Sequence, residues 1–440
     1  TCSIDSSVVN VGVCYNRQLK SILFWSCYLK LLHTSDWHLG RTLYLKKRYS
    51  EFQSFLDWLI QQIQLLAPDV LIVAGDIFDT TAPSNKAQEI YYQFLCKVAT
   101  LTKCQHIVII GGNHDSPTLL NAPKELLKQL KIHVLGNISA NPQDEVLELL
   151  DRQGQPMALV CAVPYLRDKD VRNLADNESA NDKDLKLMQA IKQHYAEVCQ
   201  IAVAHHQERG LNIPIISTGH LFVTGGKTLK DDGVRELYVG SLAQFGSNDF
   251  PAEIDYLALG HLHIAQTIAN KTQQRYSGSP IAMGFGEAKQ TKIILQVDFT
   301  GKLAQVTEIS VPTFQRLERV TGNLAQISAQ LNGLIAQSQS IWVEVDYTGD
   351  EIISGLQHGL DELVRESQVE LVTVHNSQLV AQLLSTEHFA GEIELSSLTP
   401  EDVFSKCLAI NQVPDEQQVD LSECFQQVVA ELNLTDLRAE

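Results

Sequence analysis

Short apolar strands, polar turns and amphipathic helices follow one another repeatedly along this chain, and few folds accommodate that order. Strands are predicted at 29–34, 70–74, 106–110, 158–163, 213–218, 255–259 and 291–299. Helices are predicted at 48–66, 84–101, 121–130 and 183–208, and the first carries apolar side chains at helical spacing from Phe52 to Leu66. Alternation of this kind predicts an α/β fold built in layers.

Five of these strands are followed by a Gly-rich or polar turn whose Asp, Asn and His side chains bind metals well. In chain order they are Asp36 and His38, Asp76 and Asp79, Asn113, His114 and Asp115, His220, and His261 and His263. Ligands bind outside the carboxyl ends of strands in open α/β sheets, so we expect these side chains to converge. A single histidine after a strand is usually structural, but five such turns in order predict a metal site.

The predicted ligands are two carboxylates, one amide oxygen and four imidazoles. They are Asp36, Asp76, Asn113, His38, His220, His261 and His263. Seven ligands are too many for one tetrahedral zinc ion, and they suit two ions that share a carboxylate. Mixed nitrogen and oxygen ligands indicate Mn²⁺, Fe or Zn²⁺ rather than Mg²⁺ or Ca²⁺ alone. A pair of ions about 3.5–4 Å apart suits in-line displacement at phosphorus.

Two further groups of residues are predicted to act on the substrate. His114 is not needed as a ligand, so we predict that it protonates or stabilises the leaving oxygen, with Asp79 or Asp115 orienting it. Arg41, Lys46, Lys47 and Arg48 follow the first turn and form a candidate DNA-binding loop. A solvated loop before a helix is an equally good interpretation of these four residues.

Composition limits the remaining classes of protein. The 440 residues include 34 basic and 52 acidic side chains, a net charge of −18, which argues against a simple nucleic-acid binder. Residues 386–440 alone carry 2 basic and 12 acidic side chains, so most of the excess lies away from the predicted site. No apolar run reaches the ~20 residues that span a bilayer, which predicts no membrane association. Nine scattered cysteines without a C-x-x-C pair favour the cytoplasm.

The motifs D-x-H, G-D-x-x-D, G-N-H-D, G-H and G-H-x-H, in this order, resemble those of the calcineurin-type metallophosphoesterases. Three longer strings, at 32–40, 74–79 and 276–280, resemble the SbcD family of bacterial nuclease subunits. The resemblance runs from about residue 29 to the C-terminus. It implies a layered β-sandwich flanked by helices, a small α+β capping domain and a C-terminal helical segment.

The resemblance also implies how the site is used. One ion would be held by Asp36, His38, Asp76 and His263, and the other by Asp76, Asn113, His220 and His261. The ions would most often be Mn²⁺, and the activity would be 3′–5′ exonuclease on duplex DNA ends and endonuclease on single strands and hairpins. The implied partners are an SbcC-type ATPase with a coiled coil and a second nuclease subunit. Relatives outside bacteria tend to carry histidine where this chain has Asp79, so a DNA-positioning role does not transfer there.

The predicted organisation has four parts. Residues 1–28 form an extension outside the family pattern, 29–310 a nuclease domain, 311–380 a capping domain and 386–440 a helical segment that docks on the ATPase. One alternative function is a phosphodiesterase or phosphatase of the same fold that acts on small or protein substrates. A non-catalytic tether for DNA ends is another, and the complete set of ligand positions weighs against it.

Overall fold

The computed structural model describes residues 28–171, 180–227, 245–349, 353 and 355–376, together with isolated positions between Phe404 and Gln426. The expectations for the N-terminal extension and for the C-terminal helical segment therefore fall outside the described residues, apart from Tyr28 and those isolated positions. Among the helices that the structure describes, none has the length and apolarity needed to cross a membrane.

The first half of the chain contains the first of three larger sheets. Its elements are β1 (Tyr28–Thr34), β2 (Thr42–Leu43), β3 (Lys46–Lys47), α1 (Tyr49–Leu66), β4 (Val70–Ala74), α2 (Asn85–Leu101), β5 (His106–Ile110), α3 (Pro117–Asn121), α4 (Lys124–Gln129) and β6 (Ile132–Leu135). Strands β1, β4, β5 and β6 are parallel neighbours. Their carboxyl ends therefore lie at one edge of the sheet.

The second sheet follows, and the chain then returns to the first. The elements are β7 (Val146–Leu150), β8 (Pro156–Cys161), α5 (Asp168–Val171), α6 (Ala180–Glu208), β9 (Ile215–His220), β10 (Tyr256–Gly260), β11 (Gln266–Ile268), β12 (Lys271–Tyr276), β13 (Ile293–Thr300) and β14 (Leu303–Ser310). The strand orders are β14-β13-β1-β4-β5-β6 and β11-β12-β10-β9-β8-β7. Each sheet has four neighbouring parallel strands. The first sheet adds the antiparallel strands β13 and β14 beside β1, and the second adds one antiparallel strand on each side, β11 and β7.

Apolar side chains stack the two sheets face to face between layers of helices. One cluster joins the inner faces of both sheets and includes Ile72, Val108, Val160 and Ala258. A second cluster packs α1 and α2 on the outer face of the first sheet, and a third packs α6 on the outer face of the second. The molecule thus has four layers, helix, sheet, sheet and helix, as the resemblance implied.

A smaller sheet follows Val311. Its elements alternate as β15 (Arg316–Gly322), α7 (Leu324–Ile335), β16 (Ile341–Tyr347), α8 (Leu356–Val364) and β17 (Val369–Asn376), and its three strands are parallel. It has its own apolar core. The β2–β3 hairpin contacts this sheet, because the Tyr44 hydroxyl donates to Glu344 Oε1 at 2.9 Å. The boundaries predicted for the nuclease and capping domains stay predictions.

Several predicted elements differ from the structure. The helix predicted at 121–130 begins later, as α4, and a separate short helix, α3, precedes it and ends at Asn121. Ala122 and Pro123 separate the two, because proline cannot continue a helix from the preceding turn. Strands β6, β7, β11, β12, β14 and β15 were not predicted, and most lie at sheet edges, where half-exposed sequences lack a continuous apolar run. Residues Gly219, His220 and Gly260, expected in turns, are the last residues of β9 and β10.

Candidate metal centre

The predicted ligands lie at the carboxyl ends of β1, β4, β5, β9 and β10, which belong to both sheets. Four of them adopt left-handed backbone conformations that are unfavourable for residues other than glycine: Asp36 (φ 54°), His38 (φ 46°), Asp76 (φ 49°) and His261 (φ 101°). Strain of this kind persists only where the surrounding structure imposes it, and it concentrates at functional sites. The sharp turns bring side chains from distant parts of the chain to one place.

The first cluster of donor atoms contains Asp36, His38 and His263. One donor atom of each residue lies within 4.8 Å of the others. The Nε2 atoms of His38 and His263 are 3.1 Å apart, and His38 Nε2 is 3.5 Å from Asp76 Oδ2. All four side chains are buried. This is the ligand set that the resemblance implied for one ion.

The second cluster contains Asp76, Asn113, His220 and His261. Asp76 Oδ2 is 3.2 Å from His220 Nε2, so the same oxygen faces both clusters. Asn113 Oδ1 lies 3.0 Å from His220 Nε2 and 3.1 Å from His261 Nδ1. The two clusters therefore share Asp76, as a bridging carboxylate requires.

The chemistry of the first cluster fits a divalent cation. His263 Nδ1 lies 3.1 Å from Glu287 Oε1, and His38 Nδ1 lies 3.2 Å from Asp79 Oδ1. A carboxylate beside each Nδ1 favours a proton on that nitrogen, so Nε2 is the atom of each ring that can bind a cation. A cation can take the place of the proton between the two Nε2 atoms, and mixed imidazole and carboxylate donors suit Mn²⁺, Fe or Zn²⁺.

Burial and mutual charge shift the pKa values in the second cluster. Burial lowers the pKa of His261 to about 3. Burial alone would raise the pKa of the Asp76 carboxyl, but His220 holds it well below its usual range. Asp76 in turn raises the pKa of His220 against the effect of burial. Without a metal, Asp76 is thus a buried carboxylate paired with a protonated His220, and a bound cation takes the place of that proton.

His114 lies beside both clusters. Its Nδ1 donates to the backbone carbonyl of Asp79 at 2.7 Å, and its backbone N–H donates to Asp76 Oδ1 at 2.9 Å. A ring nitrogen of His114 is also within 4.8 Å of donor atoms of His38 and Asp76. The bond to the Asp79 carbonyl sets the tautomer, so Nε2 is the nitrogen available to a substrate.

The two acids that were expected to orient His114 have different surroundings. The Asp79 carboxylate faces His38 Nδ1 and also accepts from Arg41 Nη1 at 3.2 Å, so its backbone rather than its side chain contacts His114. Asp115 is fully buried and accepts from the backbone N–H groups of Ile77, Phe78 and Gly112. Burial raises the pKa of Asp115 to about 6. The expected catalytic role of Asp115 is therefore corrected: it ties the β4 turn to the β5 turn.

The four candidate DNA-binding residues also differ in burial and in their partners. Arg48 is 1% exposed, and its guanidinium donates to Glu51 at 2.7 Å and to the Ala282 carbonyl at 2.7 Å. The DNA-binding prediction for Arg48 is wrong, because a buried, paired guanidinium cannot reach a phosphate. Lys46 forms an ion pair with Glu370, whereas Lys47 is exposed. Arg41 lies over Asp79 near the clusters.

Two glycines allow the turns to approach one another. A Cβ on Gly112 would lie 2.1 Å from Asp76 Oδ1, and one on Gly260 would lie 1.9 Å from the Ala74 carbonyl oxygen. Neither distance leaves room for any other residue. Glycine is therefore required where the β5 and β10 turns meet the β4 strand end.

The sequence interpretation missed a second group of site residues. Glu287 and Lys292 lie behind His263, and Ser277 and Ser279 lie in the string at 276–280, which is marked by the family resemblance alone. Burial raises the pKa of the Glu287 carboxyl, but the hydrogen bond from His263 and the charge of Lys292 outweigh it and bring the pKa to about 2. No spacing pattern marks Glu287 as part of the site.

Family models and known proteins match this chain over most of its length. The family model for calcineurin-like phosphoesterase matches residues 29–265, and the model for the Type 5 capsule protein repressor C-terminal domain matches residues 313–412. The chain is 36% identical over 411 residues to the SbcD subunit of the nuclease SbcCD from Escherichia coli K12, covering 90% of this chain and 97% of that protein. It is 30% identical to the SbcD subunit from Bacillus subtilis 168, covering 89% and 96%.

The domain built from the first two sheets is thus a calcineurin-like phosphoesterase domain. This class of enzyme works with divalent metal ions, and the buried donor clusters fit that requirement. Within the class, the chain belongs to the SbcD family.

Proposed function

We propose that this chain is a Mn²⁺-dependent DNA nuclease subunit that hydrolyses phosphodiester bonds. The observation that carries the proposal is the convergence of seven buried or half-buried donor side chains, from five strand ends, into two clusters that share Asp76. The names of the relatives describe nuclease subunits, which favours DNA over a small or protein substrate.

Asp36, His38, Asp76 and His263 would hold one ion, and Asp76, Asn113, His220 and His261 the other. When bound, the two ions lower the pKa of a water molecule and neutralise charge that develops on the phosphate. The chain's own contribution is to arrange the donors in advance. The left-handed turns at Asp36, His38 and Asp76 fix them before substrate arrives.

His114 would act on the leaving oxygen rather than as a ligand. The Asp79 carbonyl accepts from Nδ1 and holds the ring in one orientation, so Nε2 is the nitrogen that faces the departing sugar oxygen. When Nε2 is also protonated, the imidazolium gives that proton to the oxygen and keeps the one on Nδ1. Asp79 supports this arrangement twice, since its carboxylate also faces His38 Nδ1. We expect Asp79 to be a positioning residue.

Arg41 and Lys47 would contact the DNA backbone beside the metal centre. The Arg41 side chain is 20% exposed and is held near the clusters by Asp79 and the Met283 carbonyl. Lys47 is exposed at the end of the β2–β3 hairpin. Two cations beside two bound metal ions offset the acidic charge of the chain locally, which provides a positive surface for phosphates.

The proposed activity is 3′–5′ exonuclease on duplex ends and endonuclease on single strands and hairpins, within a cytoplasmic complex with an SbcC-type ATPase. The described cysteines are free thiols, consistent with a reducing compartment. Residues 386–440 would dock on the ATPase, and a second copy of the chain would complete the assembly. Deleting 386–440 should abolish co-purification with the ATPase without changing Mn²⁺ binding. Unchanged co-purification would refute the docking proposal.

The experiment that tests the function compares two substrates with Mn²⁺. We expect rapid cleavage of end-labelled linear duplex and slow hydrolysis of a chromogenic phosphodiester. The 3′–5′ polarity follows from the label that is released first. Preference for the chromogenic substrate, with intact DNA, would favour a small-molecule phosphodiesterase of the same fold.

A further inference from the structure

The segment Ser277–Pro280 contacts two predicted ligands of the same ion from behind. Ser277 Oγ lies 2.7 Å from Ser35 Oγ, and Ser35 Oγ donates to Asp36 Oδ2 at 2.5 Å. Because the Ser35 proton is used on Asp36, Ser277 is the donor to Ser35. This chain of hydroxyls holds the Asp36 carboxylate from the side of the protein interior.

The same segment reaches His263 through Glu287. Glu287 Oε1 accepts from His263 Nδ1, and Glu287 Oε2 accepts from Ser279 Oγ and from the backbone N–H of Met283, both at 3.1 Å. Lys292 completes the arrangement: its ammonium pairs with Glu287 and donates to the His263 carbonyl at 3.2 Å. Both the ring and the backbone of His263 are thus held.

Gly278 makes this contact possible. It has φ +73°, and a Cβ there would lie 2.7 Å from the His263 carbonyl oxygen and from the Ala265 nitrogen. The segment therefore lies directly against the β10 turn that carries His261 and His263. A larger residue would separate Ser279 from Glu287.

A contribution to folding stability does not by itself explain the buried Glu287–Lys292 pair. Glu287 is fully buried and Lys292 is 9% exposed, and a buried ion pair is often no more stabilising than apolar residues of the same size. What the pair does provide is orientation, because a carboxylate on one imidazole nitrogen fixes the tautomer and the direction of the other. Here the other nitrogen, His263 Nε2, faces His38.

We infer that Ser277, Ser279, Glu287 and Lys292 are positioning residues that set the affinity of one metal site, the one containing Asp36 and His263. The inference rests on the proposed two-metal centre and adds that these residues support only one of its two sites. Other groups hold the second site: His220 Nδ1 donates to the Ala74 carbonyl at 2.9 Å, and the His261 backbone N–H donates to Asp36 Oδ1 at 2.9 Å. The two sites therefore differ in what holds their ligands. Removing the Glu287 charge weakens one site and leaves the other unchanged.

The test measures Mn²⁺ binding to the full chain, by calorimetric titration and by electron paramagnetic resonance. Glu287→Gln keeps the size of the side chain and removes its charge. We expect roughly a 10–100-fold loss of affinity at one of two sites, with replacement of the spin-coupled signal of an ion pair by the signal of a single ion. Ser279→Ala and Ser277→Ala should produce a smaller loss at the same site.

Glu145→Gln is the matched control. Glu145 is also fully buried, with its Oε2 2.8 Å from His194 Nε2 and its Oε1 accepting from the Ser139 backbone, but it lies outside both clusters. Glu145→Gln should bind two ions with wild-type affinity.

Three results would overturn the inference: wild-type binding by all the Glu287 and serine variants, equal losses at both sites, or an equal loss in Glu145→Gln. If Glu287→Gln fails to fold, the serine variants decide. The readout is binding, so a wild-type chain that binds two ions without cutting DNA would refute the proposed nuclease and leave this test valid.

Discussion

His38 and His263, 225 residues apart in the chain, direct their Nε2 atoms at each other across 3.1 Å. A carboxylate stands behind each ring, Asp79 behind His38 and Glu287 behind His263. Two imidazoles held in this way direct Nε2 at the same space, and a cation can take the place of the proton that joins them there. The carboxylates of Asp79 and Glu287 therefore orient both histidines.

His114→Ala tests the division between ligands and the catalytic histidine. We expect DNA cleavage to fall by roughly 10²–10⁴-fold, because the leaving oxygen loses its proton donor, while two ions stay bound. Metal analysis of the dialysed protein, run beside the cleavage assay, measures both quantities. Loss of an ion together with activity would make His114 a ligand.

Lys47→Ala and Arg48→Ala should have different effects, because Lys47 is exposed and Arg48 is buried and paired with Glu51. Lys47→Ala should weaken DNA binding and reduce the salt dependence of the affinity by about one unit of slope, with unchanged unfolding. Arg48→Ala should destabilise the fold by roughly 3–5 kcal/mol, because Glu51 would keep a buried charge without its partner. Fluorescence anisotropy over a salt series and urea unfolding measure the two effects. A purely DNA-binding defect in Arg48→Ala would contradict the burial argument.

His33 predicts how stability depends on pH. It is buried in β1 with Nδ1 3.0 Å from the Tyr256 hydroxyl, and burial lowers its pKa to about 3. Its unfolded pKa is about 6.5, so the unfolded chain binds more protons between these values and stability falls as the pH drops through that window. At pH 4.5 this amounts to about 3 kcal/mol relative to pH 7.

His33→Gln keeps a hydrogen-bonding group beside Tyr256 and does not titrate. Urea unfolding of the metal-free protein at both pH values should therefore show a smaller acid loss in this variant than in the wild type. Equal losses of unfolding free energy in the two proteins would show that His33 does not cause the loss of stability at acid pH.

The convergence of the donor side chains was predictable because they follow directly after buried strands. The run Val70–Ala74 and the turn at Asp76 are adjacent in sequence, so apolar pattern and ligand chemistry appear together. The layered α/β fold followed from the same alternation, and the family comparison confirms it. Edge strands such as β7 and β14 were missed, since their exposed residues break the apolar pattern.

What the sequence did not disclose are contacts that depend on the fold alone. Glu287 contacts His263 from a short 3₁₀ helix, which is too short to show a hydrophobic periodicity in the sequence. Arg48 is buried although it directly follows two lysines, a residue type that is usually exposed. Asp115 was expected to orient His114, yet its oxygens accept from three backbone N–H groups. Neighbouring positions in a turn face different ways, and sequence order does not reveal which one faces the substrate.

Asp76 faces both donor clusters, so its removal should disable the whole proposed DNA-cutting centre. The decisive measurement is Mn²⁺-dependent cleavage of an end-labelled linear duplex by the wild-type chain and by Asp76→Asn, with bound Mn²⁺ counted in each sample. We predict cleavage by the wild type with two ions bound. Cleavage by Asp76→Asn should be no faster than by the wild type in a chelator, because both sites lose their shared carboxylate. Cleavage by Asp76→Asn at the wild-type rate would contradict the two-metal proposal.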